Sequence, residues 1–246
     1  MSFTTADWHK RYQQQAGWSK TVRDHIFLNL HLPVSPVILE VGCGTGAVLS
    51  SYSKNPSFLT FGLDIERSAL YFSQKEDPGA ILTCGDALAL PFSNASFDLA
   101  FCHYLLLWLK DPLSAIKEMK RVTRPGGSVC AFAEPDYDGR IAFPAALAKV
   151  TDLQTRSLIH QGANPSVGRQ LRHLFNEAGL SRVQAGVLAA EWNESSGSLE
   201  SEMEMIANDL ALLGKKPGST AAFDKNQFPQ DSLYFIPTFY ACGQVD

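Results

Sequence analysis

The sequence predicts an α/β protein built on an open, mostly parallel sheet with helices on both faces. Three observations predict it. Short apolar runs recur along the 246-residue chain, near residues 37–41, 58–63, 80–84, 97–102, 128–133 and 183–190, with helix-length segments between most of them. The first run, Val37-Ile-Leu-Glu-Val41, passes through Gly-Cys-Gly-Thr-Gly46 into Ala47-Val-Leu-Ser50, a strand feeding a helix through a glycine turn. An acid, Asp64, closes the second run about twenty residues past those glycines.

The glycine turn faces a ligand in two known designs. Gly42 allows the tight turn, and Gly44 lets a ligand approach bare backbone. A helix opening at Ala47 offers free N–H groups to polar ligand atoms. Gly42-x-Gly44-x-x-Ala47 satisfies the dinucleotide fingerprint, which accepts Ala at its last position. The spelling Glu40-Val-Gly-Cys-Gly-Thr-Gly46 also resembles motif I of the class I S-adenosylmethionine (SAM) methyltransferases. Glu40 favours that second design, because SAM carries an α-amino group and a carboxylate suits a cation. The alternative is that Glu40 only braces the amides of its own loop.

Composition bounds the function. Hydrophobic residues make up 45% of the chain, enough for a sizeable core. A net charge of −4 argues against a broad phosphate-binding face, so no nucleic-acid partner is expected. Lys117, Lys120, Arg121 and Arg124 are a local basic cluster that could assemble on one helix and the turn after it. The five cysteines are scattered, with neither a zinc spacing nor a disulfide framework, which suits a reducing cytosol and a cytoplasmic protein. No ligand cluster argues for a metal, and no apolar run approaches a membrane span. No repeat or linker interrupts the chain, so residues 1–246 read as one domain.

Further along, Trp8, Tyr12, Trp18, Val22 and Ile26 recur at helical spacing and read as two short helices broken near Gly17. Asp64 is placed to accept from two ribose hydroxyls, although Asp is also a favoured helix cap. Gly85-Asp86-Ala87 follows the third run, and His103-Tyr104 follow the fourth, where ligands of open α/β sheets sit. Asp111-Pro112 starts a helix whose apolar face is Leu113, Ile116, Met119 and Val122. Pro125-Gly-Gly127 turns into the fifth run, and Glu134-Pro-Asp-Tyr137 leaves it. Helices are expected over 144–161, 167–178 and 199–213, and a final strand over 233–241, with Pro237 favouring an edge or bulge.

Gly85-Asp86-Ala87 and Pro125-Gly-Gly127 resemble the later motifs of the type 11, ubiquinone/menaquinone-biosynthesis-like, methyltransferase group. The resemblance spans roughly residues 37–190 in motifs and the ends only in layout. It implies a three-layer Rossmann-like fold with seven strands and an antiparallel last strand. It divides the chain into a lid (1–33), a SAM-binding half (34–134) and a substrate-side half (135–246). The implied cofactor set is Tyr12, Glu40, Gly42, Cys43, Gly44, Gly46, Asp64, Ile65, Asp86, Ala87 and Cys102, with Tyr12 or Arg11 meeting the SAM carboxylate. The substrate pocket falls to His103, Tyr104, Trp108, Glu134 and Tyr137, with His103 the candidate base. The expected activity is methyl transfer from SAM to a small molecule, releasing S-adenosylhomocysteine. Protein or RNA methylation, and nucleotide binding of the NAD type or without catalysis, are the alternatives. Arg169 reads as a solvated helix charge or a substrate contact.

Overall fold

In the computed structural model, which describes residues 4–188, Ile206 and 232–246, a seven-stranded sheet runs through the centre. Its strands are β1 (Val37–Val41), β2 (Leu59–Asp64), β3 (Ile81–Cys84), β4 (Phe97–Cys102), β5 (Thr123–Pro135), β7 (Ser181–Leu188) and β9 (Thr238–Gln244), in the order β3-β2-β1-β4-β5-β9-β7. The pairs from β3 to β5 are parallel, and β9 runs antiparallel to both of its neighbours. The order reverses between β1 and β4, whose carboxyl ends therefore open the crevice where such sheets bind ligands.

Strand alternation builds the two layers of core. Leu39, Val41, Ala100, Cys102, Val129 and Ala131 face one side, against α4 (Pro112–Val122) and α6 (Leu171–Glu177). Ile38, Leu99, Phe101, Cys130 and Phe132 face the other, against α1 (Thr5–Asn29) and the aromatic ring of Tyr52. β4 is buried along its whole length, as a strand covered on both faces must be. Asp111 caps α4 by accepting from the Ser114 amide at 3.0 Å, as the Asp-Pro pair predicts.

Several elements differ from the sequence expectation. α1 is one continuous 25-residue helix. Gly17 sits in it with nothing within 4 Å of where a Cβ would be, so the glycine weakens the helix without a packing reason to break it. The helix after the glycine loop is a single turn, α2 (Ser50–Ser53), opening at Ser50 and not at Ala47. α3 (Arg67–Glu76) is capped by Glu66, not by Asp64. The final strand is two: β8 (Leu233–Phe235) pairs with β6 (Ile141–Phe143) in a separate two-stranded antiparallel sheet, and after Pro237 β9 joins the main one. The helix α5 (Ala145–His160) is as expected. Of the expected helix over 199–213 only Ile206 is among the described residues, and residues 189–190 of the sixth strand lie outside them.

The cysteines also need correcting. Cys130 and Cys242 form a disulfide between β5 and β9, where they are direct cross-strand partners. Their separation of 112 residues hid a contact that exists only because β9 returns beside β5. Cys43, Cys84 and Cys102 are free.

Asp98, which is 9% exposed, locks β1 beside β4. It accepts from the Val37 amide at 2.8 Å and from Arg124 at 2.7 Å. Asp98→Ala strands a buried N–H, and we expect a loss of about 1–3 kcal/mol in unfolding free energy by urea denaturation. Asp98→Asn, which keeps an acceptor for Val37, should lose less.

Candidate active site

The glycine loop and the end of β2 form one unit. The Gly44 amide donates to Asp64 Oδ2 at 2.7 Å, and the Glu66 amide donates to Asp64 Oδ1 at 2.9 Å. Gly42, Gly44 and Gly46 all have positive φ, at 73°, 50° and 78°, which selects glycine at each. At Gly46 a Cβ would lie 2.3 Å from the Ser73 hydroxyl, so the loop also packs tightly on α3. Cys43 is buried under the loop, where burial first, and then Glu40, pushes its thiol pKa up.

Glu40 alternates with Ile38 and so points to the α1 side of the sheet, beneath the loop. It is 2% exposed, the Leu49 amide bonds it, and its Oε2 is buried without a partner. Burial drives its pKa well above the usual range, Arg23 opposes that, and Asp64 adds to it. The bracing alternative therefore describes one of its oxygens and leaves the other an orphaned acceptor.

α1 lies across this edge. Tyr12 sits 3.6 Å from the Cβ position of Gly44 and stacks on Trp8, and its pKa is raised by burial and then by Asp64. His9 Nδ1 meets the Thr45 hydroxyl at 2.8 Å. Arg11 is buried and lies over the Trp18 ring, 4.8 Å away. Trp18 itself is 40% exposed, so it is not part of the buried face. That face is instead Arg11, Ala16, Ser19, Arg23 and Ile26. His9, Ser19 and Arg23 were missed because an apolar pattern search passes over polar side chains. The i, i+4 repeat of Ser19 and Arg23 was the available signal.

At the neighbouring strand ends, Asp86 accepts from the Leu88 amide at 2.9 Å and remains exposed, while Ala87 is buried. Ile65, next after Asp64, is 72% exposed, an apolar side chain presented beside two acids. An exposed isoleucine there suits the face of a flat ring.

Beyond β4 the backbone is strained and braced. Tyr104 has φ 53°, a left-handed conformation uncommon for a tyrosine. Glu134 holds the following turn (Leu106–Trp108): it accepts from the Leu105 and Leu106 amides at 2.9 Å each and from Leu107 at 3.2 Å. A register break between Ala131 and Glu134 re-aims this side chain toward Cys102. Glu134 is fully buried, so it braces the loop and does not line an open pocket. Burial raises its pKa to about 7 against the pull of the three amides, and burial raises the Cys102 thiol as well.

His103 Nε2 meets Ser19 Oγ at 2.8 Å, which ties the end of β4 to α1. Burial, and then Arg23, lowers its pKa to about 3, so in this arrangement it is a neutral hydrogen-bonding group. Trp108 is 46% exposed and Tyr137 is buried beside Arg140. Arg169 is exposed, as a solvated charge would be, and it also forms a two-pronged pair with buried Asp136. The basic cluster is largely engaged: Lys120 caps the carbonyls of Ala178 and Gly179, Arg121 pairs with Glu118, and Arg124 with Asp98.

Residues 39–131 match the family profile described as a methyltransferase domain. An uncharacterized methyltransferase of Schizosaccharomyces pombe is 34% identical over 148 residues, 55% of this chain and 53% of that protein. The demethylmenaquinone methyltransferase of Renibacterium salmoninarum is 33% identical over 102 residues, 41% of this chain and 43% of that protein. The chain thus spans about half the length of these curated relatives. Among solved structures, a Haemonchus contortus phosphoethanolamine N-methyltransferase 2, in complex with phosphomonomethylethanolamine and S-adenosylhomocysteine, superposes with a TM-score of 0.59 at 17% identity. That match covers 90% of this chain and 52% of the other, and it speaks to the fold. Among the described residues no helix is long and apolar enough to cross a membrane.

The raised Glu134 pKa gives a pH test. Its carboxyl binds its proton more tightly folded than unfolded, so its contribution is full below about pH 4.5 and lost as pH rises through about 7. Glu134→Gln cannot titrate. We expect the melting temperature of the parent, relative to the variant, to fall as pH rises across that window. A difference that is flat with pH would contradict a buried titrating Glu134.

Proposed function

We propose that this chain, whose residues 39–131 form a methyltransferase domain, transfers a methyl group from SAM to a small-molecule acceptor. The observation that carries the choice of cofactor is the buried, unpartnered oxygen of Glu40 beneath the glycine loop. It suits an ammonium group, which SAM has and NAD lacks. Bound at this edge, SAM supplies a methyl carbon already activated by its sulfonium.

The chain's own residues bind and orient. Glu40 accepts the α-ammonium, and Gly42, Cys43, Gly44 and Gly46 supply the close backbone. Asp64, already fixed by Gly44 and Glu66, accepts the ribose hydroxyls with its remaining lone pairs. Ile65 covers one face of the adenine, Asp86 accepts its exocyclic amine and the Ala87 amide meets the ring. Tyr12 and α1 keep water from the edge, and Cys102 packs below it. Tyr104 and Trp108 flank the acceptor, Tyr137 backs it, and Glu134 holds their loop in place. His103 orients this region through Ser19; an acceptor that must lose a proton would need it freed from that bond. Positioning supplies most of the acceleration.

A small acceptor is favoured because three of the four side chains of the basic cluster, Lys120, Arg121 and Arg124, are engaged by other groups of the protein. The chain acts as one domain, and the Cys130–Cys242 disulfide removes the argument for a reducing cytosol that scattered, unpaired cysteines gave.

Calorimetry tests the cofactor: heat of binding is expected with SAM and S-adenosylhomocysteine and none with NADH. Asp64→Ala should weaken both sulfur ligands by about 1–3 kcal/mol, the scale of hydrogen bonds to a charged group. Labelled SAM incubated with fractionated cell extract tests the acceptor, with label expected among small molecules. Label confined to RNA or protein would refute that class.

A further inference from the structure

α1 carries a buried cation that the site described above does not use. Arg23 is 2% exposed, and among the described ion pairs none includes it. Its Nε donates to Ser19 Oγ at 3.1 Å and a terminal nitrogen donates to the Ala16 carbonyl at 2.7 Å, both within its own helix. Ser19 in turn meets His103. Glu40, with its unpartnered oxygen, points to the same α1 side of the sheet, one residue before Val41, which pairs with Cys102 just ahead of His103.

A charge taken out of water needs a counter-charge, and at low local dielectric it acts beyond contact distance. The groups that face Glu40 are Arg23 from α1, Tyr52 from α2, Asp64 from β2 and Cys43 from the loop, while Cys102, on the other face of the sheet, and the adjoining His103 lie at the end of β4. Tyr52, the two thiols and His103 are neutral near pH 7, and Asp64 is an acid. Arg23 is the only cation in this set.

We propose that Arg23 is a positioning residue for the cofactor, holding Glu40 as its counter-charge from above while fixing His103 through Ser19. One side chain then links the lid helix to both strand ends that flank the crevice. This rests on the SAM reading for its functional consequence, but the charge coupling itself does not. Without Arg23, Glu40 keeps its burial, its repulsion from Asp64 and its single bond from the Leu49 amide, and loses the cation that favours its charged form. It then holds a proton to higher pH and offers a cationic ligand no charge.

The test compares the parent with Arg23→Met, Arg23→Lys, Glu40→Gln and the Arg23→Met/Glu40→Gln double variant. S-adenosylhomocysteine affinity is read by calorimetry, and melting temperature is read without ligand. Arg23→Met is expected to weaken binding at pH 7 by about tenfold or more, with recovery as pH rises. Arg23→Lys should retain most of the affinity. In the Glu40→Gln background the Arg23 substitution should change affinity and melting temperature far less than in the parent. An equal effect in both backgrounds, or a loss of affinity that is independent of pH, would overturn the proposal. If Arg23→Met does not fold, the double variant decides: its folding supports the coupling, because both buried charges are gone, and its failure to fold refutes it. If the parent binds no S-adenosylhomocysteine, the cofactor reading fails, and the ligand-free melts still decide the coupling.

Discussion

The bond from the Gly44 amide to Asp64 is the contact on which the candidate site depends. It joins the loop that leaves β1 to the last residue of β2, and so fixes the glycines and the acid as one rigid edge. Everything around it presupposes that edge. Tyr12 comes down on Gly44, Ile65 stands out beside it, and Glu40 lies beneath it. The bond is also local in space but twenty residues apart in sequence, so it forms only once β1 and β2 are paired. Sheet register thus comes before site geometry, and the Asp98 clamp between β1 and β4 serves the same end on the other side.

The two most deeply buried carboxylates among the described residues are handled differently, and chemistry explains why. Glu134 meets three backbone amides, so its charge is partly solvated by the loop it holds. Glu40 meets one, and depends on a cation that does not touch it. The first arrangement fixes a loop. The second leaves an acceptor available, which a purely structural acid would not do.

Much of this was legible in the chain. The strands from β1 to β4, the glycine positions and the cap of α4 follow from short apolar runs and turn chemistry, which are local, whereas the antiparallel last strand is implied only by the family resemblance. What escaped reading was set by tertiary contacts. Gly17 was read as a break because glycine is a poor helix former, yet twelve residues on either side carry the helix past it. The buried face of α1 mixes Arg11, Ser19 and Arg23 with Ala16 and Ile26, and no periodicity of apolar residues can reveal its polar members. Glu134 was read as a pocket residue because it follows a strand end, and only the register break in β5 turns it inward. The Cys130–Cys242 bond joins strands that are neighbours in space alone.

The place of β9 has a consequence for the order in which the chain can acquire its shape. β5 and β7 are made before β9 and share no hydrogen bonds until it arrives between them. A growing chain on the ribosome can therefore close β3 to β5 early, while β7 waits as an unpaired ribbon. Its exposed Val187 and its bare amides are then open to any other extended segment nearby. Synthesis leaves the gap in the middle of the sheet to be filled last, by the most distant strand.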